Sequence, residues 1–429
     1  MPSPIRFPGS VRDFGSVHTD SREVLPGGLF FALRGAATDG HRFLADAVAR
    51  GAAGVVVERP PEQGLGAEVL LVPDAWAALY DLARRRLREV APVVVGITGS
   101  NGKTTTKEML SAILATRYRV LKTEGNLNTE TGLPLTILRL EPGVHEVAIL
   151  EMGMQGPGEI ARLAELASPG IGIVTGIGTV HIEFFDSQDG IALAKSELVA
   201  ALPADGLAVL NHDDPFTPQV AAASRAPVTT FGLEGGDLRG EDYSGGTFRV
   251  RGVAVRLPVA GRHQARNALA AMAAALRLEI PLAAAAEALA TVSVERRLQS
   301  LRAQAGFEVV DDAYNASPES MLAAFEAVSE RPRKGRLLAV LGEMRELGPL
   351  ADDAHRRIGA RAREVFDAIC VVDVGWGRLL AEAAGADLVP DKAAAVGWVR
   401  AAAREGDVVL VKASHGVALE EVVAQLVRP

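Results

Sequence analysis

Residues Gly96–Met109 read GITGSNGKTTTKEM and directly follow the apolar run Val93–Val95. A short buried strand, a glycine-rich turn, a lysine, three threonines and a helix come in the order that builds a phosphate cradle. Glycines let backbone N–H groups approach an anion closely, and the helix adds unpaired N–H groups and the positive end of its dipole. Lys103 brings a point charge for β- and γ-phosphates, and the Thr104 hydroxyl is a ligand for Mg2+. Gly99, Ser100, Asn101, Gly102 and Thr105 complete the turn. The general pattern G-x-x-x-x-G-K-[ST] is not met strictly: Ile97 holds its first glycine's place, and the glycines fall at 96, 99 and 102. A nucleoside triphosphate is the expected ligand.

Other chemistry-bearing residues stand at the ends of apolar runs. Glu151 follows Val147–Leu150 and precedes Gly153 by two residues, a place from which a carboxylate holds Mg2+ directly or through water; a solvated strand end is the plain alternative. His181 follows another such run and is either structural or a metal ligand. Lys195, in IALAKSEL, falls inside an amphipathic helix starting near Ser187, and pattern alone favours an exposed lysine. Buried and neutral, its amine can add CO2 and act as a carboxylate-like ligand beside the metal. Asp311–Pro318, DDAYNASP, suits ribose hydroxyls and a stacked base, or simply caps a helix. His263 and Asn267, four apart, face one side of a helix start. The pair Arg296–Arg297 is either solvated charge or a cation for transferring phosphate.

The elements that must position these residues alternate strand with helix. Three segments are expected: a small α/β module over 1–90, a central phosphate-binding unit with a mostly parallel sheet over 91–296, and a second doubly wound unit over 297–429. In the central segment Val93–Ile97, Val147–Leu150, Ile171–Thr175 and Leu207–Leu210 are short continuous apolar runs, as in strands buried on both faces. Polar residues gather just after them, at the carboxyl edge where open α/β sheets bind ligands. The alanine-rich stretch Ala268–Ala290 reads as two helices, because Pro281 starts a helix rather than sitting inside one.

Bulk properties bound the function. A chain of 429 residues calls for two or three domains. A net charge of −8 argues against a surface that coats nucleic acid. The one cysteine, Cys370, excludes an intrachain disulfide and reads as a buried strand residue. No run approaches the ~20 apolar residues of a membrane span, and MPSPIRFPGS lacks a signal-type apolar core. A cytoplasmic enzyme is expected, neither binding nucleic acid nor inserting in a membrane.

Taken together these segments resemble the Mur ligase family across essentially the whole chain. The family loop G-x-x-G-x-x-G-K-T-[ST] matches Gly96–Thr105 and accounts for the glycine spacing. Further matches are Thr123–Leu138, Glu151–Gly153, Ala194–Leu198 and Asn211–Pro215. Asp311–Met321, Leu341–Gly348, Thr19–Arg22, Leu29–Gly35 and Asp39–Phe43 resemble the branch that adds D-alanyl-D-alanine to a UDP-N-acetylmuramoyl-tripeptide. The resemblance implies three domains, binding the UDP-sugar, ATP and the amino substrate in turn, with a monomer expected. It implies ATP and Mg2+ as cofactors, with Lys103, Lys195, His181 and Arg297 in catalysis and Lys195 carbamylated. Thr104, Glu151, His181 and Lys195 would hold metal; Asn267, Asp312, Tyr314 and Asn315 would contact adenosine. Asp20, Ser21 and Arg22 would face the UDP portion, and Asn126 and Asn128 the substrate. Sibling ligases adding a diamino acid, folylpolyglutamate synthase and a non-catalytic nucleotide-binding relative are the alternatives. Three positions depart from the family pattern: Thr129 and Ser317 replace asparagine, and His415 replaces an arginine in Lys412–His415. Imidazole lacks the forked donors of guanidinium, so His415 receives no role.

Overall fold

The computed structural model describes residues 4–35, 38–331 and 333–427. Near the N-terminus four short parallel strands, Val17–His18, Leu29–Phe31, Gly54–Val57 and Glu68–Leu71, lie side by side in that order. The helix Ala75–Val90 follows, capped by Asp74 and ended by Ala91 in the left-handed conformation. It leans on the central unit through Tyr80, whose hydroxyl donates to the Glu130 carbonyl at 3.2 Å, and through an Arg84–Glu165 ion pair at 3.0 Å.

The central sheet has seven strands, all paired in parallel. Val93–Thr98 lies between Ile171–Val174 on one side and Val147–Glu151 on the other, with Val120–Lys122 beyond the latter. The strand order therefore reverses beside Val93–Thr98, and the crevice at such a switch point is where open α/β sheets hold ligands. Helix Arg262–Arg277 is buried along most of its length because its alanines let it pack closely on the sheet and on helix Lys103–Leu114. A separate helix, Leu282–Leu289, starts after Pro281, as its proline requires.

Between these elements lies an antiparallel three-stranded meander, Glu241–Ser244, Thr247–Val250 and Val253–Arg256, absent from the expected organisation. Its signal is present in the chain. Thr247-Phe248-Arg249-Val250 alternates polar with apolar, Phe248 and Val250 are buried, and Gly245-Gly246 and Arg251-Gly252 supply hairpin turns with positive φ.

The C-terminal sheet has six strands in the order Gln299–Arg302, Glu308–Asp311, Val408–Lys412, Leu337–Leu341, Ala368–Val372 and Asp387–Val389. Only the first pairs antiparallel. Cys370 is buried in it, its thiol pushed up to about 12, chiefly by burial. No described helix is long and apolar enough to cross a membrane.

Candidate nucleotide and ligase site

Strand Val93–Thr98 delivers the chain into the turn, and two of its glycines have no substitute. Gly99 has φ of +144° and a Cβ there would fall 1.9 Å from Thr175 Oγ1. Gly102 has φ of +88°, and its Cβ would meet Asn267 Oδ1 at 2.4 Å. Helix Lys103–Leu114 then opens with Gly102 as its cap, so the first-turn amides face outward as anion donors. Lys103 folds over the loop, donating to the Gly99 carbonyl at 2.6 Å. Burial pushes its ammonium below the ordinary lysine range, Glu151 opposes that shift, and Arg297 adds to it.

Glu151 ends its strand 3 % exposed, which removes the solvated strand-end reading. Its carboxylate accepts from Thr104 Oγ1 at 3.1 Å and Asn128 Nδ2 at 2.9 Å. Lys107, one turn beyond Lys103, is buried with its Nζ donating to the Thr123 carbonyl at 2.6 Å and standing 3.7 Å from Glu151 Oε2. Hydroxyl and carboxylate oxygens side by side form a hard donor set that fits Mg2+.

A cavity of about 550 Å³ surrounds this cradle. Ser100–Thr105, Asn126, Asn128, Glu151, His181, Arg297, Tyr314 and Asn315 all line it, as does Trp76 from the N-terminal helix. Walls therefore come from all three parts of the chain. Trp76 was not anticipated; it is fixed by donation from Nε1 to the Arg34 carbonyl at 2.9 Å. A smaller cavity of about 270 Å³ adjoins, lined by Asn267, Asp312, His263, Glu319 and Lys412, and Arg297 borders both. Burial, reinforced by Lys412 and Arg266, lowers the His263 pKa to about 4. The Arg297 guanidinium lies 4.2 Å from the Tyr314 ring centre, and His415 packs on the same ring at 5.8 Å between centroids.

Lys195, the Asp20–Arg22 segment and Arg296 fall outside these walls, whereas His181 stands within them. Lys195 is buried in helix Gln188–Ala200, 2 % exposed, and does not line the larger cavity. The pattern-based expectation of an exposed lysine is overturned, because this helix is packed on more than one side: Ala192, Ala194, Ser196 and Leu198 are buried too. Burial first, and then Lys103, hold its amine well below the ordinary lysine range. His181 adopts φ of +68° and its Nδ1 abuts the Glu346 carboxylate of the C-terminal unit, leaving Nε2 as its free nitrogen. Asp20, Ser21 and Arg22 lie away from both cavities; Asp20 caps its own turn and pairs with Arg22 at 2.6 Å, while Ser21 is buried. Arg296 points away, 3.7 Å from Glu420.

The DDAYNASP segment caps a helix and also reaches the cavity. Ser317 forms a capping box on helix Pro318–Ser329 and also receives a hydrogen bond from Asn101 Nδ2 at 3.2 Å, so the cap touches the phosphate turn. Tyr314 and Asn315 meanwhile face the cavity. Sequence reasoning gave Lys412 no role of its own, although it ends the apolar run Val408–Val411 at a carboxyl edge. It lies buried, 2.6 Å from Asp312 Oδ2.

A three-part α/β protein with a phosphate turn at a switch point, faced by a cation from the start of a second doubly wound unit, has the fold and site of a nucleotide-dependent enzyme. Three family models match in order: the Mur ligase family catalytic domain over residues 14–87, the Mur ligase middle domain over 97–275, and the Mur ligase glutamate ligase domain over 296–415. The chain belongs to the Mur ligase family. It is 39% identical to the UDP-N-acetylmuramoyl-tripeptide–D-alanyl-D-alanine ligase of Synechocystis sp., covering 96% of this chain and 91% of that one. It is 37% identical to the ligase of the same name from Bacillus subtilis, covering 96% and 93%. Among solved structures, MurF from Acinetobacter baumannii superposes with a TM-score of 0.88 at 31% identity, over 97% of this chain and 94% of that one. MurF from Thermotoga maritima in complex with ADP gives 0.84 at 32%, over 96% of each.

Proposed function

We propose that this enzyme joins D-alanyl-D-alanine to UDP-N-acetylmuramoyl-tripeptide at the expense of ATP, in the synthesis of peptidoglycan precursor. The observation that carries this reading is the larger cavity, whose walls come from all three parts of the chain and meet at Lys103, Glu151 and Arg297. An enzyme that must bring a nucleotide, an acid and an amine together needs such a junction. The relatives' names, at 39% and 37% identity over 96% of the chain, support the choice of substrates.

In this reading the tripeptide's terminal carboxylate attacks the γ-phosphorus, ADP leaves, and an acyl phosphate forms. The amine of D-alanyl-D-alanine then attacks the acyl carbon, loses a proton and expels phosphate, leaving the amide. Both first reactants are anions, so positioning and charge stabilisation dominate the barrier. The turn amides of 103–105 and the Lys103 ammonium hold the β- and γ-phosphates, and Arg297 meets the charge that develops on the transferring group. Asn267, Asp312, Tyr314 and Asn315 contact adenosine, Asn126 and Asn128 the bound acid, and Asp20, Ser21 and Arg22 the UDP portion. Thr104, Glu151, His181 through Nε2, and Lys195 as a carbamate would hold Mg2+, which when bound neutralises phosphate charge. The buried, poorly solvated amine of Lys195 supports carbamylation, because only a neutral amine adds CO2. The acyl phosphate is water-sensitive, and walls drawn from three units are suited to excluding water as they close.

The test is ADP production with UDP-N-acetylmuramoyl-tripeptide, with and without D-alanyl-D-alanine, beside the same assay with UDP-N-acetylmuramoyl-dipeptide and a diamino acid. Turnover confined to the first pair is expected. Turnover confined to the second would transfer the enzyme to the sibling branch, and acceptor-independent silence would leave a binding protein.

A further inference from the structure

Arg297 is flanked by backbone that residues with a Cβ rarely adopt. Arg296 has φ of +54° and Leu298 φ of +55°. Such backbone is strained, and the conformation persists only where its surroundings over-determine it. The surroundings here are specific. Leu298 is 2 % exposed and its N–H donates to Asp312 Oδ1 at 3.2 Å, while the Arg296 N–H donates to Gln299 Oε1 at 3.2 Å. Asp312 is in turn held by Lys412, whose Nζ stands 2.6 Å from its Oδ2 and donates to the Asn315 carbonyl at 2.9 Å.

Sheet register explains why these groups meet. Glu308–Asp311 and Val408–Lys412 are parallel neighbours with Asp311 opposite Val411, so Asp312 and Lys412 emerge together at their carboxyl ends. The same ammonium thus ties three things: the carboxylate under the strained linker, the carbonyl beside Tyr314, and the strand behind both. Tyr314 presents its ring to the guanidinium 4.2 Å away. Arg297 is fixed from two directions, at its backbone through Asp312 and at its head through Tyr314.

We propose that Lys412 is a positioning residue for phosphoryl transfer: with Asp312 it locks the linker 296–298, left-handed on either side of Arg297, and so aims Arg297 at the transferring phosphate. The proposal rests on the reading of Arg297 as the cation for that phosphate. Lys412 touches no substrate in it and acts on kcat through Arg297; because Asp312 also contacts adenosine in that reading, any second effect of Lys412 falls on the ATP KM.

A double-mutant cycle on kcat tests this, with Arg297→Ala, Lys412→Met and the double variant assayed at saturating substrates and the ATP KM followed separately. Arg297→Ala should lower kcat about a hundredfold, the loss typical of one preorganised charge donor. Lys412→Met should lower kcat at least about tenfold alone, yet by less than about twofold in the Arg297→Ala background, because coupled residues are not additive. Lys412→Arg should restore part of the loss. An equal loss from Lys412→Met in both backgrounds overturns the clamp while leaving the phosphate reading intact; a wild-type kcat for Arg297→Ala overturns both. If circular dichroism shows Lys412→Met unfolded, Lys412→Gln, which keeps a donor for the Asn315 carbonyl but removes the charge facing Asp312, replaces it in the same cycle. A kcat loss confined to the Arg297-containing background supports the clamp, and an unchanged kcat overturns it.

Discussion

Lys195 shows how one residue can be misjudged from its neighbours in sequence. A lysine beside Ser196 and Glu197 reads as the polar face of a surface helix, yet the side chain is almost wholly buried. Its burial comes from packing that no local pattern encodes: the neighbouring helix Glu159–Ala167 packs against it, with Glu197 accepting from the N–H groups of Gly158 at 2.8 Å and Ala161 at 2.9 Å. The polar neighbour is thus satisfied by another element while the lysine faces inward. A charged lysine there would forgo most of its hydration, so the neutral amine is favoured, and a neutral amine is the form that reacts with CO2. Lys195→Ala should lower kcat by about a thousandfold or more, with partial recovery on adding formate or acetate, and the loss belongs to chemistry rather than folding. Full turnover without any added carboxylate would remove the carbamate from the mechanism. Lys412 was illegible for the same reason as Lys195. A lysine after four apolar residues looks like a strand emerging into water, and only the adjacent strand, remote in sequence, supplies the aspartate that keeps it inside.

At the scale of elements the sequence was most informative where local chemistry forces local shape. Proline at 281 divides two helices, and Ser317-Pro318 starts another, because ring and hydroxyl act on the backbone they belong to. The phosphate turn was legible for that reason: its glycines sit where only glycine fits. The meander Glu241–Arg256 is the exception: its alternation and glycine turns are local, but its strands are only four residues long and stand between strand-then-helix repeats, so their period of two is a weak signal. Gly102 allows the claim about glycine to be tested. Gly102→Ala imposes left-handed strain of roughly 1–2 kcal/mol and drives a methyl group against Asn267 Oδ1, 2.4 Å away in the present geometry. ATP affinity should fall at least about tenfold in equilibrium binding, since a displacement costing about 1.4 kcal/mol already accounts for that. Gly143→Ala is the matched control: φ is +73° there with nothing within 4 Å of a new Cβ, so it carries the strain but not the collision. If both variants bind ATP alike, neither the strain nor the collision at Gly102 reaches the nucleotide, and the claim that only glycine serves there fails.

The molecule as a whole is built so that its two larger units meet beside the phosphate turn. Asn101 reaches Ser317, His181 abuts Glu346, and Glu319 Oε1 accepts from both the N–H and the hydroxyl of Thr179 at 2.9 and 2.8 Å. None of these pairs could be assigned from sequence, because each joins residues more than a hundred positions apart through the relative placement of two sheets. Glu319 is the most telling of them, since it bonds the loop following strand Ile171–Val174 from the first turn of helix Pro318–Ser329 and lines the smaller cavity. Removing it deprives the part-buried N–H and hydroxyl of Thr179 of that acceptor, a loss of about 1–3 kcal/mol from the contact between the two units. If the two units open and close, a shift of about 2 kcal/mol changes the ratio of closed to open molecules roughly thirtyfold, and any ligand that bridges both units then binds more weakly in proportion to the closed fraction. Glu319→Ala should therefore have a larger radius of gyration in small-angle scattering without nucleotide, return to the wild-type radius with a non-hydrolysable ATP analogue, and require more of that analogue to do so. An unchanged radius with an unchanged nucleotide affinity would mean that Thr179–Glu319 contributes nothing to closure, and that the junction is held by Asn101–Ser317 and His181–Glu346 without it.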